Sequence, residues 1–201
     1  MFDFFRSSPP RCVFSGPRVY LRPPKWADQK EWLKVRGESK AFLEPWEPAW
    51  SRDALTAAAF RRRVHRVEQE WRSGIGYGFF IFDGKTSSLV GGITLANVRH
   101  GVVESANIGY WVGQAYARQG YMSESLQITL DFAFRKLNLH RVEAACLIDN
   151  EASRQLLLKS GFQLEGRARK FLCINGRWQD HDTFGILRTD DRPAVPVIER
   201  Q

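Results

Sequence analysis

Apolar and polar residues alternate along Arg18-Val19-Tyr20-Leu21-Arg22, the period of two that predicts a first strand. Trp32, Leu33 and Val35 then fall in a helical setting across 26–37. Two prolines at 45 and 48 bias the residues before them away from the helical region, so 42–48 is expected to be a stiff, aromatic, acidic loop. A long helix is expected over 51–72, with Ser51 as its cap and Gly74 and Gly76 as its end. The pattern changes after it. Segments 78–83, 89–98 and 105–112 are rich in Phe, Ile, Val and Tyr and are parted by Asp83-Gly84 and His100-Gly101, which predicts an antiparallel meander. Beyond Gly120, residues Leu126, Leu130, Ala133, Phe134 and Leu137 make an apolar stripe at helical spacing. A strand over 141–147 follows, then a short helix over 151–160 capped by Asn150 and stopped by Gly161-Phe162. Two last strands near 162–171 and 179–187 are joined by a turn at Asn175-Gly176. The order is strand, helices, three strands, helix, strand, helix, two strands, and such mixing predicts an α/β or α+β fold.

The ends carry no such period. Residues 1–16, with Pro9 and Pro10, are expected to be an arm, and 190–201, with two prolines and mixed charge, a tail; 17–189 form the domain. A chain of 201 residues fits one domain with a sizeable core. With 43% hydrophobic and 26% charged residues, and no apolar run near the roughly 20 residues that span a bilayer, a membrane protein is not expected. Residues 1–5 are too short an apolar stretch, and too acidic at Asp3, for an export signal. Cys12, Cys146 and Cys173 are odd in number and lack a CxxC pair, which predicts free thiols in a reducing cytoplasm and no metal site.

The net charge of +8 favours a polyanionic partner, whether a phosphorylated cofactor, RNA or an anionic surface. Charge alone does not choose among them. Arg61, Arg62, Arg63, Arg66 and Arg72 also fit the solvated face of one helix.

More specific is the run from Ile108-Gly109-Tyr110-Trp111-Val112 through Gly113 to Arg118-Gln119-Gly120-Tyr121-Met122-Ser123, which reads strand, connection, helix start. The first turn of a helix leaves N–H groups unpaired at the positive end of its dipole, a ready anion site. Gly120 lets a phosphate approach the backbone and Arg118 adds a full charge. Such a turn can hold a diphosphate without a P-loop lysine.

This stretch resembles motif A of the GNAT acetyltransferases, Q/R-x-x-G-x-G/A, although only the central glycine matches strictly in Ala117-Arg118-Gln119-Gly120-Tyr121-Met122. The segment from Asn150 to Gly166 is similar to the family's N-x-x-S-x-x-L-x-x-x-G-F-x-x-x-G run at every fixed position, with Ser153, Leu156, Gly161 and Phe162 in place. Phe42-Leu43-x-Pro45-Trp46-Glu47-Pro48, His140-Arg141 and Ile174-Asn175-Gly176-x-Trp178-x-Asp180-His181 resemble the ribosomal-protein-alanine N-acetyltransferase branch. The likeness covers roughly residues 17–187. It implies a GNAT fold: a mixed, mostly antiparallel sheet of about six to seven strands with helices on both faces.

It also implies the reaction, direct transfer of acetyl from acetyl-CoA to an amine, with the N-terminal alanine of a ribosomal protein as acceptor. The resemblance places Tyr110, Trp111, Val112, Gly113, Arg118, Gln119, Gly120, Tyr121, Met122, Ser123, Asn150 and Arg154 at the cofactor, and Ser153 as proton donor to the leaving thiolate. Many relatives carry a glutamate where Asn107 stands, so Glu104, acting through a water, is the candidate base. Trp46, Glu47, Trp178 and His181 are candidates for the acceptor wall, with Glu47 receiving the ammonium. Cys146, inside a predicted strand, is expected to be structural rather than a nucleophile. Two alternatives stay open: acetylation of a small amine or antibiotic on the same fold, and a basic RNA- or ribosome-binding protein with a vestigial CoA site.

Overall fold

The computed structural model describes residues 13–200, so positions 1–12 of the expected arm, Cys12 among them, and Gln201 lie outside the described residues. The elements are β1 (Val13–Ser15), β2 (Val19–Arg22), α1 (Gln29–Glu38), α2 (Lys40–Leu43), α3 (Ala57–Ser73), β3 (Tyr77–Asp83), β4 (Leu89–Arg99), β5 (Ser105–Val112), α4 (Tyr121–Asp131), β6 (Arg141–Leu147), α5 (Glu151–Lys159), β7 (Gln163–Ile174), β8 (Arg177–Leu187) and β9 (Ile198–Arg200). They build one nine-stranded sheet in the order β7-β8-β6-β5-β4-β3-β2-β1-β9. Neighbouring strands run antiparallel except β5 and β6, which are parallel.

The alternation within β3 explains the two cores. Phe80 and Phe82 face α1 and the start of α3, where they pack with Trp32, Phe60, Val64 and Leu89. Phe79 and Ile81 face the other way, into a larger cluster with Leu126, Ile128 and Leu130 of α4. Trp71 closes that cluster at one end, meeting Phe79 and Phe132 at ring-centre distances of 5.3 and 5.9 Å.

The sheet is larger than the six to seven strands expected, because β1 and β9 lie in the segments expected as arm and tail. They pair with each other through Val13↔Arg200, Phe14↔Glu199 and Ser15↔Ile198. Each is three residues long, too short to show a period. Phe14 nevertheless reaches the core, 5.8 Å from the Phe79 ring.

Two other differences have local causes. The helical path continues through α2 into a 3₁₀ turn over Glu44–Trp46, because Pro45 stands in the first turn, where its missing N–H costs nothing. The long helix starts at Ala57 rather than near Ser51, since Thr56 takes the cap and accepts from the Ala59 N–H at 3.2 Å. The expected stops hold: Gly74 ends α3 at φ 68°, and the Asn175-Gly176 turn has φ 44° and 78°.

Candidate active site

Strands β5 and β6 hold each other only at Ser105↔Arg141, Ala106↔Val142 and Asn107↔Glu143. From Ile108 onward β5 stays paired with β4, through Gly109↔Thr94 and Trp111↔Gly92 to Val112↔Gly91, while β6 leaves with β8. A wedge opens between them. Along it, the β5 edge that faced β6 has no strand partner among the described residues, so its backbone groups are available to a guest.

Two hydroxyls span this wedge. Tyr110 on β5 and Ser153 on α5 lie 2.8 Å apart, oxygen to oxygen. Ser153 is held by its own backbone, since Asn150 caps α5 by accepting from the Ser153 N–H at 3.1 Å. Burial pushes the Tyr110 phenol well above its usual range, against a smaller opposing effect of the Ser153 bond, so at neutral pH it keeps its proton. Cys146 lies close by; burial raises its thiol, which keeps it from acting as a thiolate. Asn150 therefore serves the site by fixing Ser153.

One end of the wedge leads to the predicted diphosphate turn. Arg118 and Gly120 both adopt left-handed backbone, with φ 60° and 84°. No side chain caps α4, and the N–H groups of Tyr121, Met122 and Ser123 have no partner among the described residues. The turn is braced from below. Arg18 donates to the Gln119 carbonyl at 2.8 Å, Glu124 accepts from the Arg18 and Val19 N–H groups, and Tyr121 donates to Asp83 at 2.6 Å. That bond, with two N–H donors from Lys85 and Thr86, holds the Asp83 carboxyl far below the usual range. Met122 is buried, so only its amide faces the turn, which explains why this position tolerates a long apolar side chain. Arg18, absent from the expected set, gives the turn a second cation; its place directly before the first strand was the only signal.

Alternation along β5 sends Tyr110 and Val112 toward the larger core and Gly109 and Trp111 to the opposite face. On that opposite face lies a cleft of about 350 Å³. Its floor is made of small residues, Gly78, Gly92, Thr94 and Gly109, with Asn107 at one end and Arg63 and Trp111 as walls. The glycines create the space: a side-chain carbon at Gly109 would meet nothing within 4 Å, whereas one at Gly92 would lie 2.5 Å from the Trp111 ring nitrogen. Trp111 thus lines this face, and only its backbone reaches the wedge. Tyr110 borders the cleft through its backbone while its side chain reaches the other face, so cleft and wedge lie on either side of one residue.

The two acceptor-wall segments come together, as the Asn175 N–H donates to the Glu47 carbonyl at 3.0 Å. Trp46 and Trp178 are exposed there. The Glu47 carboxylate is engaged: Arg36 grips it with two bonds of 2.7 Å and the Trp50 ring N–H adds a third at 2.8 Å. Arg36 is itself buried, stacked 4.3 Å from Trp50 and 4.9 Å from Trp111. Glu47 is therefore held as the partner of a buried cation rather than offered free to an ammonium.

Three expected residues have other partners. Glu104 sits at the closed end of the wedge, where its carboxylate accepts from Gly101 at 2.9 Å and meets His100 at 3.2 Å. Tyr110 lies six residues further along, about 20 Å in extended chain, so the structure does not bring Glu104 to Ser153. His181 is buried, with Nδ1 3.0 Å from the Gln179 carbonyl. Arg154 points from α5 to buried Asp182 at 2.6 Å, and Arg167 approaches the same carboxylate at 3.0 Å.

The uncapped helix start is the anion site expected from the sequence, and a splayed parallel pair of strands opens beside it. A family model described as an acetyltransferase (GNAT) domain matches residues 18–163. The chain belongs to the GNAT acetyltransferases. The acetyltransferase is 34% identical to a probable N-acetyltransferase, YjcK, of Bacillus subtilis, over 89% of this chain and 99% of that one. It is 27% identical to the ribosomal protein uS5-alanine N-acetyltransferase of Escherichia coli, over 94% and 98%. Among solved structures it is similar to Mycobacterium smegmatis RimJ in complex with CoA-disulfide, with a TM-score of 0.83, 33% identity and coverage of 89% and 88%. It is an N-acetyltransferase on a mixed α/β fold, which sets aside the non-catalytic alternative.

Proposed function

We propose that this acetyltransferase moves an acetyl group from acetyl-CoA to a peptide N-terminal α-amine, and that the acceptor is the N-terminal alanine of a ribosomal protein. The observation that carries the α-amine is the chemistry of the cleft beside Tyr110: among the described residues lining it there is no carboxylate. An amine there must arrive largely neutral. An α-amino group, with a pKa of about 8, is partly neutral near pH 7, whereas a lysine at about 10.4 is not. The alanine acceptor is supported by the similarity to the E. coli enzyme over nearly the whole of both chains.

The thioester supplies an electrophilic carbonyl and a thiolate leaving group. The unpaired N–H groups of Tyr121, Met122 and Ser123, with Arg118 and Arg18 beside them, suit the diphosphate. The free edge of β5 from Ile108 to Val112 suits the amide-rich arm that follows, in the manner of an added strand. Bringing donor and acceptor together from the two faces of the sheet supplies the proximity that direct transfer needs. Ser153 gives a proton to the departing sulfur while Tyr110, which keeps its own proton, donates a hydrogen bond to the serine oxygen 2.8 Å away, and a proton from water restores Ser153. Water takes the amine proton.

Incubating the protein with acetyl-CoA and intact ribosomal proteins, then weighing each, tests the acceptor. One acetyl group on a protein that starts with alanine is the expected product. Acetylation confined to a small amine offered in competition would overturn it.

A further inference from the structure

The basic run on α3 is not uniform. Arg61, Arg62, Arg66 and Arg72 are exposed, but Arg63 is half-buried and turns toward the cleft under Trp111. Its guanidinium lies over the Trp32 ring at 5.5 Å. Among the described residues it has no carboxylate within ion-pair distance and no hydrogen-bond partner, and it is the only charged side chain lining the cleft. Nearby, Arg36 and Glu47 satisfy each other. Glu70 is likewise engaged by Arg66, so of the three guanidiniums Arg63 alone lacks a partner and a unit of positive charge is left over at the acceptor side. Loss of water around it, with Arg36 and Arg66 adding repulsion, pulls the Arg63 pKa down to about 10, which still leaves it charged at neutral pH.

A half-buried cation without a counter-charge gains most from a ligand that brings one, and a carboxylate, which accepts charge-assisted hydrogen bonds, does so best. The same charge disfavours an entering ammonium and so favours the neutral amine. We propose that Arg63 is a specificity-determining residue that pairs with a carboxylate on the acceptor peptide, carried by the peptide's second or third residue. This rests on the peptide α-amine reading given above. The backbone carbonyls of any peptide could also accept from Arg63, but they would leave the surplus charge uncompensated.

The test uses peptides that begin with Ala and carry Asp or Glu at the second or third position, each matched to its Asn or Gln counterpart. CoA release is followed for the wild-type protein, Arg63→Gln and Arg63→Lys, with melting curves confirming that all three fold. The wild type is expected to favour the acidic member by at least tenfold in kcat/KM, the scale of one charge-assisted bond. Arg63→Gln should bring that ratio to near one and Arg63→Lys should keep most of it. Equal use of acidic and amide peptides by the wild type overturns the role of Arg63 and leaves the peptide reading intact, as does an unchanged ratio in Arg63→Gln. Failure of every peptide, with transfer to small amines retained, overturns the peptide reading and this inference with it.

Discussion

The hydroxyls of Tyr110 and Ser153 stand 2.8 Å apart, and they tie β5 to α5 where β5 and β6 no longer pair. Ser153→Ala removes the proposed donor to the leaving thiolate and should lower kcat by about a hundredfold, the lower range for a positioned general acid. Tyr110→Phe removes only the supporting bond and should cost about five- to tenfold. The double variant should be scarcely worse than Ser153→Ala, since both act on one proton. Steady-state CoA release checks all three, and unchanged turnover in Ser153→Ala would remove it from the mechanism.

The absence of a carboxylate among the described residues of the cleft fixes the pH dependence. The rate at low peptide concentration should rise about tenfold per pH unit and level off near pH 8, following the acceptor amine rather than an enzyme base. Arg63 loses its charge only as pH passes about 10, so it remains charged through that rise. Replacing the peptide amine with one of lower pKa should move the profile down by the same amount. A profile that stays in place would point to a base on the enzyme.

On the proposed reading Gly109 lies on the acceptor side and Gly120 on the cofactor side. Gly109→Val places its side chain in open space on the cleft side of β5, a conformation that valine favours. It should raise KM for peptide about tenfold or more, through lost room alone, with melting temperature and KM for acetyl-CoA little changed. Gly120→Ala forces a side-chain carbon into left-handed backbone at φ 84°, 3.0 Å from the Arg18 guanidinium. The strain, about 1–2 kcal/mol, should appear as a raised KM for acetyl-CoA. Measuring both constants for both variants checks the assignment of faces.

Arg154 distinguishes support from contact. Its partner Asp182 is buried, so Arg154→Gln should destabilise the fold by about 1–3 kcal/mol, with Arg167 left as the remaining cation. Thermal denaturation should show that loss. A large rise in KM for acetyl-CoA with no change in stability would return Arg154 to the cofactor.

Much of this was legible in the chain. The alternation in β3 to β5, the Asn150 cap, the Gly161 stop and the Asn175-Gly176 turn all depend on neighbours within a few residues, where period and capping chemistry act directly. The same locality made the motif around Ser153 readable. What stayed hidden depends on contacts between distant segments. β1 and β9 pair across almost the full length of the chain, and three residues leave no pattern. Glu47 looks like a free carboxylate until Arg36 is brought to it, and Arg154 looks like a cofactor ligand until β8 supplies Asp182. Arg63 is the converse case. Within its run it looks like one more solvated arginine, and only the glycine floor of β3, β4 and β5 gives it a cleft to line.

Transfer to an α-amine through the wedge at Tyr110 and Ser153 is decided by one pair of peptides. The first begins with a free N-terminal alanine and has its lysines blocked; the second has a blocked N-terminus and free lysines. With acetyl-CoA the first should take up one acetyl group with an equal release of CoA, in a reaction that Ser153→Ala slows about a hundredfold. The second should remain unmodified. Acetylation of the second peptide at a comparable rate, or none of the first, would contradict the account.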